Sequence, residues 1–331
     1  MPELYPLLLQ PEFYARPWGA RSLAPIYPEV KVTEPIGEAW LTGDKCKVAN
    51  GPLAGKTLAE LAKEFGRDLV GATAPQPDRF PLLIKFLFPC EKLSVQVHPD
   101  DHGAKQLGEP CGKTECWYVL SADPGAKVGL GLRPGVTKQE FAQAIRETRA
   151  EELLNWIDIH AGELIYVDAG TVHAIGPGSI LVETQQNSDT TFRLYDYGRP
   201  RELHIEQGLA ATKERTLAGK VERQRHAGRA ESAHVETLIS AGCFVVEKYA
   251  VRELLHFSTL GEGGRLMQVL VAVSGGGVVE GLAGTDIAFT RGEAVVVPAA
   301  VDTYRVRPQW ELEFLRSLVP MAHVADPAVA F

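Results

Sequence analysis

The chain has no CxxC pair, no apolar run long enough to cross a bilayer and no excess of positive charge, and each absence removes a class of function. Its five cysteines, Cys46, Cys90, Cys111, Cys116 and Cys243, form an odd set at irregular spacing. They fit neither a disulfide framework nor a zinc ribbon, and read as free buried thiols in a reducing cytoplasm. No segment approaches the roughly 20 apolar residues that span a membrane. The first residues, MPELYPLLLQPEFYARPWG, lack the basic start and long apolar core of a secretory signal, and Pro6 and Pro11 interrupt the short LLL run. The expected location is therefore cytoplasmic, with no membrane partner. A formal net charge of -8 gives no general attraction to nucleic acid. A small anionic substrate remains compatible, because a few local Lys and Arg override the global sign.

What is present suffices for a large core: 331 residues, 45% of them hydrophobic, allow two domains or one double-layered fold with insertions. Two capping boxes, Thr57-x-x-Glu60 and Thr137-x-x-Glu140, predict helices over 57–70 and from 137 to about Trp156, and a third helix is expected over 201–211. Most other periodic segments are short β-type runs: PLLIKFLF (81–88), CWYVL (116–120), ELIYV (163–167), SILVET (179–184), CFVVEKYAV (243–251), MQVLVAVS (267–274) and EAVVVPA (293–299). Gly- and Pro-rich turns separate them, so a mainly β sandwich or barrel with helical insertions is expected. The polar stretch 213–236 reads as a linker or exposed excursion between an N-terminal domain, 1–212, and a C-terminal one, 237–331. The two sides carry a faint repeat: GELIYVDAGTVH (162–173) aligns without gaps to GEAVVVPAAVDT (292–303), and only the first copy keeps its His.

The chemistry concentrates in the first copy. In LSVQVHPDD (93–101), period-two spacing puts Gln96 and His98 on one face of a strand and Val95 and Val97 on the other. Gly162-x5-Asp168-x-Gly170-x2-His173 has the spacing of a second cupin motif, a strand, a tight turn and a strand that presents an imidazole inside a small barrel. Glu115, at the head of CWYVL, stands where the first cupin motif puts a carboxylate. Two imidazoles, a carboxylate and an amide oxygen suit a borderline divalent ion such as zinc. The bland alternative pairs Gln96 and Glu115 with neighbouring backbone or Lys groups. Lys85 lies inside an apolar run, where an unpaired charge is expensive, so it must face a carboxylate, a cavity or a ligand. With Lys113, Arg193 and Arg199 it makes a cationic surround suited to a sugar phosphate. The polar run ETQQNSDTTFR (183–193) follows a buried strand; it is either an exposed loop or a lining in which Glu183, Asp189 and Arg193 face an open barrel end.

Taken in order, PLLIKFL, LSVQVHPDD, GKTECWYVL, AGTVHAIG and ETQQNSDTTFRLYDYGR resemble the type I phosphomannose isomerases, most closely their short bacterial form. Weaker echoes occur at Trp18-Gly19 and Gly37-Glu38-Ala39-Trp40. The resemblance implies a double cupin, one zinc ion held by Gln96, His98, Glu115 and His173, and an essential arginine at Arg193. It puts Ser94 and Lys113 at or near the substrate phosphate, and a further cation at Arg199. The implied reaction interconverts D-mannose 6-phosphate and D-fructose 6-phosphate through an enediol, with Glu183 as first choice for the base and Asp189 as second. The oligomeric state is left open, leaning to a monomer.

The chain departs from this pattern at Ala20, Leu41 and Gly43, which puts the role of the early strand in question. Gln268 and Thr303 align with Glu115 and His173, so no second metal is expected. The alternative is a retired cupin that binds sugars or regulates; such a protein would tolerate loss of a ligand or of Arg193, and this chain keeps them all. Gln96 in place of the first His of a His-x-His pair speaks against an iron dioxygenase.

Overall fold

The computed structural model describes residues 3–222, 229–230, 233–261, 263–281, 286–321, 327 and 329–330. The protein is mainly β and folds into two halves, each built around a large antiparallel sheet. In the first half the sheet runs Glu12–Ala20, Ile36–Trp40, Leu82–Leu87, Ser179–Gln186, Glu115–Ala122, Leu164–Val167, Gly219–Val221 and Val329–Ala330. A second sheet belongs to the same half, in the order Phe192–Tyr195, Val95–Val97, His173–Ile175, Lys127–Leu132 and Leu154–Asp158. In the second half the large sheet includes Ala233–Ser240, Val245–Val251, Thr303–Leu318, Gln268–Gly281, Ala294–Val297 and Leu7–Gln10, in that order.

Alternation along the strands decides what each layer buries. Cys116, Tyr118, Ile84, Phe86 and Val182 of the first half pack with Val246, Val269, Val271, Val296 and Leu315 of the second, so the two large sheets share one core. The opposite faces look into separate interiors. Leu87, Trp117, Val119 and Leu181 fill part of the first, and Tyr249, Leu270, Ala272 and Phe314 fill the second.

Edge pairing cuts across the division expected at 212 and 237. Leu7–Gln10, from the first half of the sequence, pairs with Ala294–Val297, while Gly219–Val221, inside the expected linker, pairs with Leu164–Val167. Each half thus covers an exposed edge with a strand from outside its own sequence range, which removes a site for unwanted pairing. Residues 223–228 and 231–232 of the expected linker lie outside the described residues.

Both capping boxes form, with Thr57 accepting from the Glu60 amide and Thr137 from the Glu140 amide. The helices are shorter than predicted. Gly66 breaks the first into Leu58–Phe65 and Arg67–Val70, and the second ends at Arg146, before a strand that carries Trp156. Here a sheet position for Trp156 overrides local helical spacing. The third helix spans Ile205–Ala211. The thiols are not uniformly buried: Cys46 and Cys116 are, whereas Cys90 is exposed. None of the helices is long and apolar enough to cross a membrane among the described residues.

Candidate metal centre and its cavity

Two facing rungs of β-structure build the site. On the smaller sheet, Gln96 pairs with His173 on one side and Arg193 on the other, so three polar side chains share one rung. On the large sheet, Glu183 pairs with Lys85 on one side and Trp117 on the other, and Glu115 lies two residues before Trp117 on the same face. His98 follows the Val95–Val97 strand, and its carbonyl accepts from the Gly170 amide. Gly170 has φ +94°, the left-handed turn geometry that the Gly-x2-His spacing requires. The run expected to be either loop or lining continues as strand to Gln186, with Glu183, Thr184, Gln185, Asn187 and Ser188 buried.

The imidazoles are oriented from behind. His98 Nδ1 donates to the Thr190 carbonyl at 2.9 Å, and His173 Nδ1 donates to the Thr171 carbonyl at 3.0 Å. With the proton on Nδ1, each ring offers the Nε2 lone pair to the interior. Those atoms lie 3.6 Å and 3.3 Å from the two oxygens of Glu115. Burial, with the Lys113 charge behind it, holds the His98 pKa well below its ordinary value, and burial holds that of His173 at about 4. Both rings are therefore neutral at pH 7.

Two lone pairs converging on a carboxylate repel one another unless a cation lies between them. Among the described residues, buried His98 Nε2 and Glu115 Oε2 have no hydrogen-bond partner. The donor atoms of His98, Glu115 and His173 all fall within 4.8 Å of one another. Gln96 adjoins them, its amide 3.1 Å from His173 Nε2, and turning that amide over presents Oε1 to the same point. The set fits a divalent metal with mixed nitrogen and oxygen ligands.

Beside it runs a row of alternating charges. Lys113 Nζ is 3.3 Å from Glu115 and 3.8 Å from Glu183, and Lys85 Nζ is 3.4 Å from Glu183. Burial and the Glu115 charge raise the Glu183 carboxyl above the usual carboxylate range. For Lys85, burial pulls downward but Glu183 and Glu38 outweigh it and keep the ammonium charged. Glu38 accepts from Trp40 Nε1 at 2.7 Å and from Arg16 Nε and Nη2 at 3.1 and 3.0 Å. Although burial opposes it, Lys85 and then Arg16 bring the Glu38 carboxyl down to about 2.

A cavity of about 400 Å³ opens over this floor, and Ser94, Lys85, Lys113, Glu183, Asp189 and Arg193 line it with Gln96 and Glu115. Asp189 sits at the exposed rim. Arg199 is absent from the lining. Its guanidinium is held by Glu91 at 2.8 Å, Asp196 at 3.2 Å and the Lys92 carbonyl at 2.9 Å, a structural pairing outside the cavity lining. In its stead Arg201 reaches the cavity, and Arg16 does so from the early strand. Burial, followed by the charge of Arg201 and more weakly that of Arg16, lowers the Arg193 guanidinium. Sequence reasoning passed over Arg16 and Arg201. One signal was present, because Glu38 inside the apolar run IGEAW carries the same unpaired-charge problem as Lys85 and calls for cations near it.

Comparison with known proteins points to one family. Residues 7–119 match the model of the phosphomannose isomerase type I catalytic domain. A probable mannose-6-phosphate isomerase, GmuF, from Bacillus subtilis is 41% identical over 217 residues, 62% of this chain and 67% of the relative. The mannose-6-phosphate isomerase ManA of the same organism is 38% identical over 256 residues, 74% of this chain and 79% of the relative. A crystal structure of mannose 6-phosphate isomerase from Bacillus subtilis superposes with a TM-score of 0.84 at 30% identity, covering 96% of this chain and 99% of that one. A zinc-bound mannose 6-phosphate isomerase shares the fold at 15% identity, with a TM-score of 0.75 over 96% of this chain and all of that one (100%). From sequence motifs, sheet order and relatives together, the chain belongs to the type I phosphomannose isomerase family.

Proposed function

We propose that the protein is a zinc-dependent aldose–ketose isomerase that interconverts D-mannose 6-phosphate and D-fructose 6-phosphate. One observation carries the reading: two neutral imidazoles converge on Glu115, with buried donor atoms that make no hydrogen bond among the described residues, and Glu115 and Gln96 line a cavity ringed by cations. Gln96, His98, Glu115 and His173 are assigned to hold one zinc ion, and the mixed donor set and the zinc-bound relative support that choice. When bound, the ion supplies Lewis-acid polarisation of the sugar oxygens next to the reacting carbons.

The remaining steps fall to the chain. Glu183 is assigned to take the C2 proton and return it at C1, because it is buried at the floor and its raised pKa brings it nearer to neutrality. Asp189 is the second choice, since it stands at the rim, farther from the buried end. Lys85 and Lys113 lie beside Glu183 and offset negative charge that develops on the substrate oxygens. Arg193 adds its guanidinium from the facing sheet, and Ser94 offers a hydroxyl to the sugar or its phosphate.

The test is a coupled assay for fructose 6-phosphate formed from mannose 6-phosphate, run before and after chelation and after zinc is restored. The expected result is activity that disappears with the metal and returns with zinc. Activity that survives thorough metal removal contradicts the mechanism, and no isomerisation by the zinc-loaded protein favours a sugar-binding role.

A further inference from the structure

The cations of the cavity differ in depth and in how they are held. Lys85 and Lys113 are only 4% exposed, and each is paired with a carboxylate at the floor. The side chains of Arg16 and Arg201 are 27% and 24% exposed and line the same cavity nearer to solvent. Each is clamped from behind by a buried carboxylate. Arg201 donates through Nε and Nη2 to Asp196, both at 2.6 Å, and Arg16 donates through Nε and Nη2 to Glu38. Arg201 Nη1 has no such anchor among the described residues. Arg193 lies within electrostatic reach of both; among the described residues its side chain is tied only to the Glu202 carbonyl, at 2.8 Å, and its buried Nε has no partner.

Asp196 and Glu38 offset the charges of Arg201 and Arg16, whereas Arg193 has no carboxylate within ion-pair distance among the described residues, so an anion entering the mouth meets a charge still to be balanced. A guanidinium held by a carboxylate has already lost its side-chain freedom, so it binds an incoming oxyanion with little further ordering. Substrate chemistry agrees with the position. If C1 and C2 sit at the buried floor, an extended six-carbon chain leaves its C6 substituent toward the mouth.

We propose that Arg201 and Arg16, acting with Arg193, form the rim that recognises the substrate phosphate and sets the preference for phosphorylated over free sugars. Lys113 then belongs to the reacting end, where its pairing with Glu115 and Glu183 puts it. This assignment rests on the isomerase reading and names the specificity residues of that site.

The experiment pairs steady-state kinetics with calorimetric titration of the zinc-loaded protein by inorganic phosphate. In Arg201→Ala, phosphate binding should weaken on the order of tenfold to a hundredfold, as expected for loss of a charged hydrogen bond. KM for mannose 6-phosphate should rise by a like factor while kcat stays within about threefold and zinc content is unchanged. The preference for mannose 6-phosphate over mannose should fall by that same factor. Arg16→Ala should act in the same direction. Arg201→Lys keeps charge and bulk but loses the fork, so it should give a smaller loss and serves where the alanine variant does not fold. Unchanged phosphate affinity and sugar preference in a folded variant, a loss confined to kcat, or a wild-type protein that does not bind phosphate overturns the proposal. If the wild-type protein binds phosphate but isomerises nothing, the reaction fails and the rim stands.

Discussion

The two halves of the molecule use the same sheet to opposite ends. In the first, Lys85, Glu183, Trp117 and Ile165 lie side by side on four adjacent strands; in the second, Glu247, Arg316, Leu270 and Val295 occupy the matching places. The ion pair is thus preserved with its sign reversed. Glu115, paired with Val167, has its counterpart in Gln268, paired with Val297. The Gln268 side chain is itself satisfied: Tyr304 donates to its Oε1 at 2.5 Å, Arg316 Nη1 donates to the same oxygen at 3.2 Å, and its own amide donates to the Ser258 carbonyl at 2.8 Å. Arg316 in turn is held by Glu247 at 2.7 Å and lies over the rings of Tyr249 and Phe257.

Among the described residues, buried side-chain polar atoms without a hydrogen-bond partner belong to the first half, Ser317 Oγ excepted. The difference teaches that a site is a deliberate shortfall in pairing. At the candidate metal centre the first half leaves His98 Nε2 and Glu115 Oε2 without a hydrogen bond among the described residues, whereas the second closes the position matching Glu115 with an arginine and a tyrosine.

The largest expected effect separates the halves outright. His98→Ala removes one of two imidazoles and should abolish both zinc retention and isomerisation, measured by metal analysis and the coupled assay. A change to the matching second-half residue, Gln268→Ala, should leave zinc content alone. Next, Glu183→Gln keeps the shape and removes the base, so kcat should fall roughly 10²- to 10⁴-fold with little change in KM. Equal losses from Asp189→Asn would transfer the role to Asp189.

Arg316→Ala sharpens the contrast from the other side. It strands the mostly buried Glu247 and should cost about 3 kcal/mol in denaturant unfolding, while kcat/KM stays within about twofold. A catalytic defect as large as that of Glu183→Gln would break the division of labour. Smallest is Cys116→Ala: the thiol faces the core between the two large sheets, so about 1 kcal/mol of stability is expected to be lost and catalysis to be nearly unchanged.

Much of this was legible in the sequence because it rests on period and spacing. Alternation put Gln96 and His98 on one face, the Gly-x2-His interval announced the turn at Gly170, and a charge inside PLLIKFLF announced a buried partner for Lys85, which is Glu183. The aligned repeat also marked Gln268 and Thr303 as the places where the second copy differs. What escaped depends on contacts between distant strands. The crossing of Leu7–Gln10 into the second sheet, the capture of Arg199 by Glu91 and Asp196, and the arrival of Arg16 and Arg201 at the cavity are set by packing across the fold. No local period encodes which of several arginines reaches a cavity and which is spent on a neighbouring carboxylate.

The central claim is that the first half holds a cation between its imidazoles and Glu115 while the second half holds none. Zinc X-ray absorption on the metal-loaded protein, with metal content measured on the same sample, tests it most directly. The account predicts one zinc per chain, bound only by nitrogen and oxygen at about 2.0–2.2 Å with an imidazole contribution. Zinc bound through sulfur, a second tightly held ion, or full activity in protein that retains no metal would contradict it.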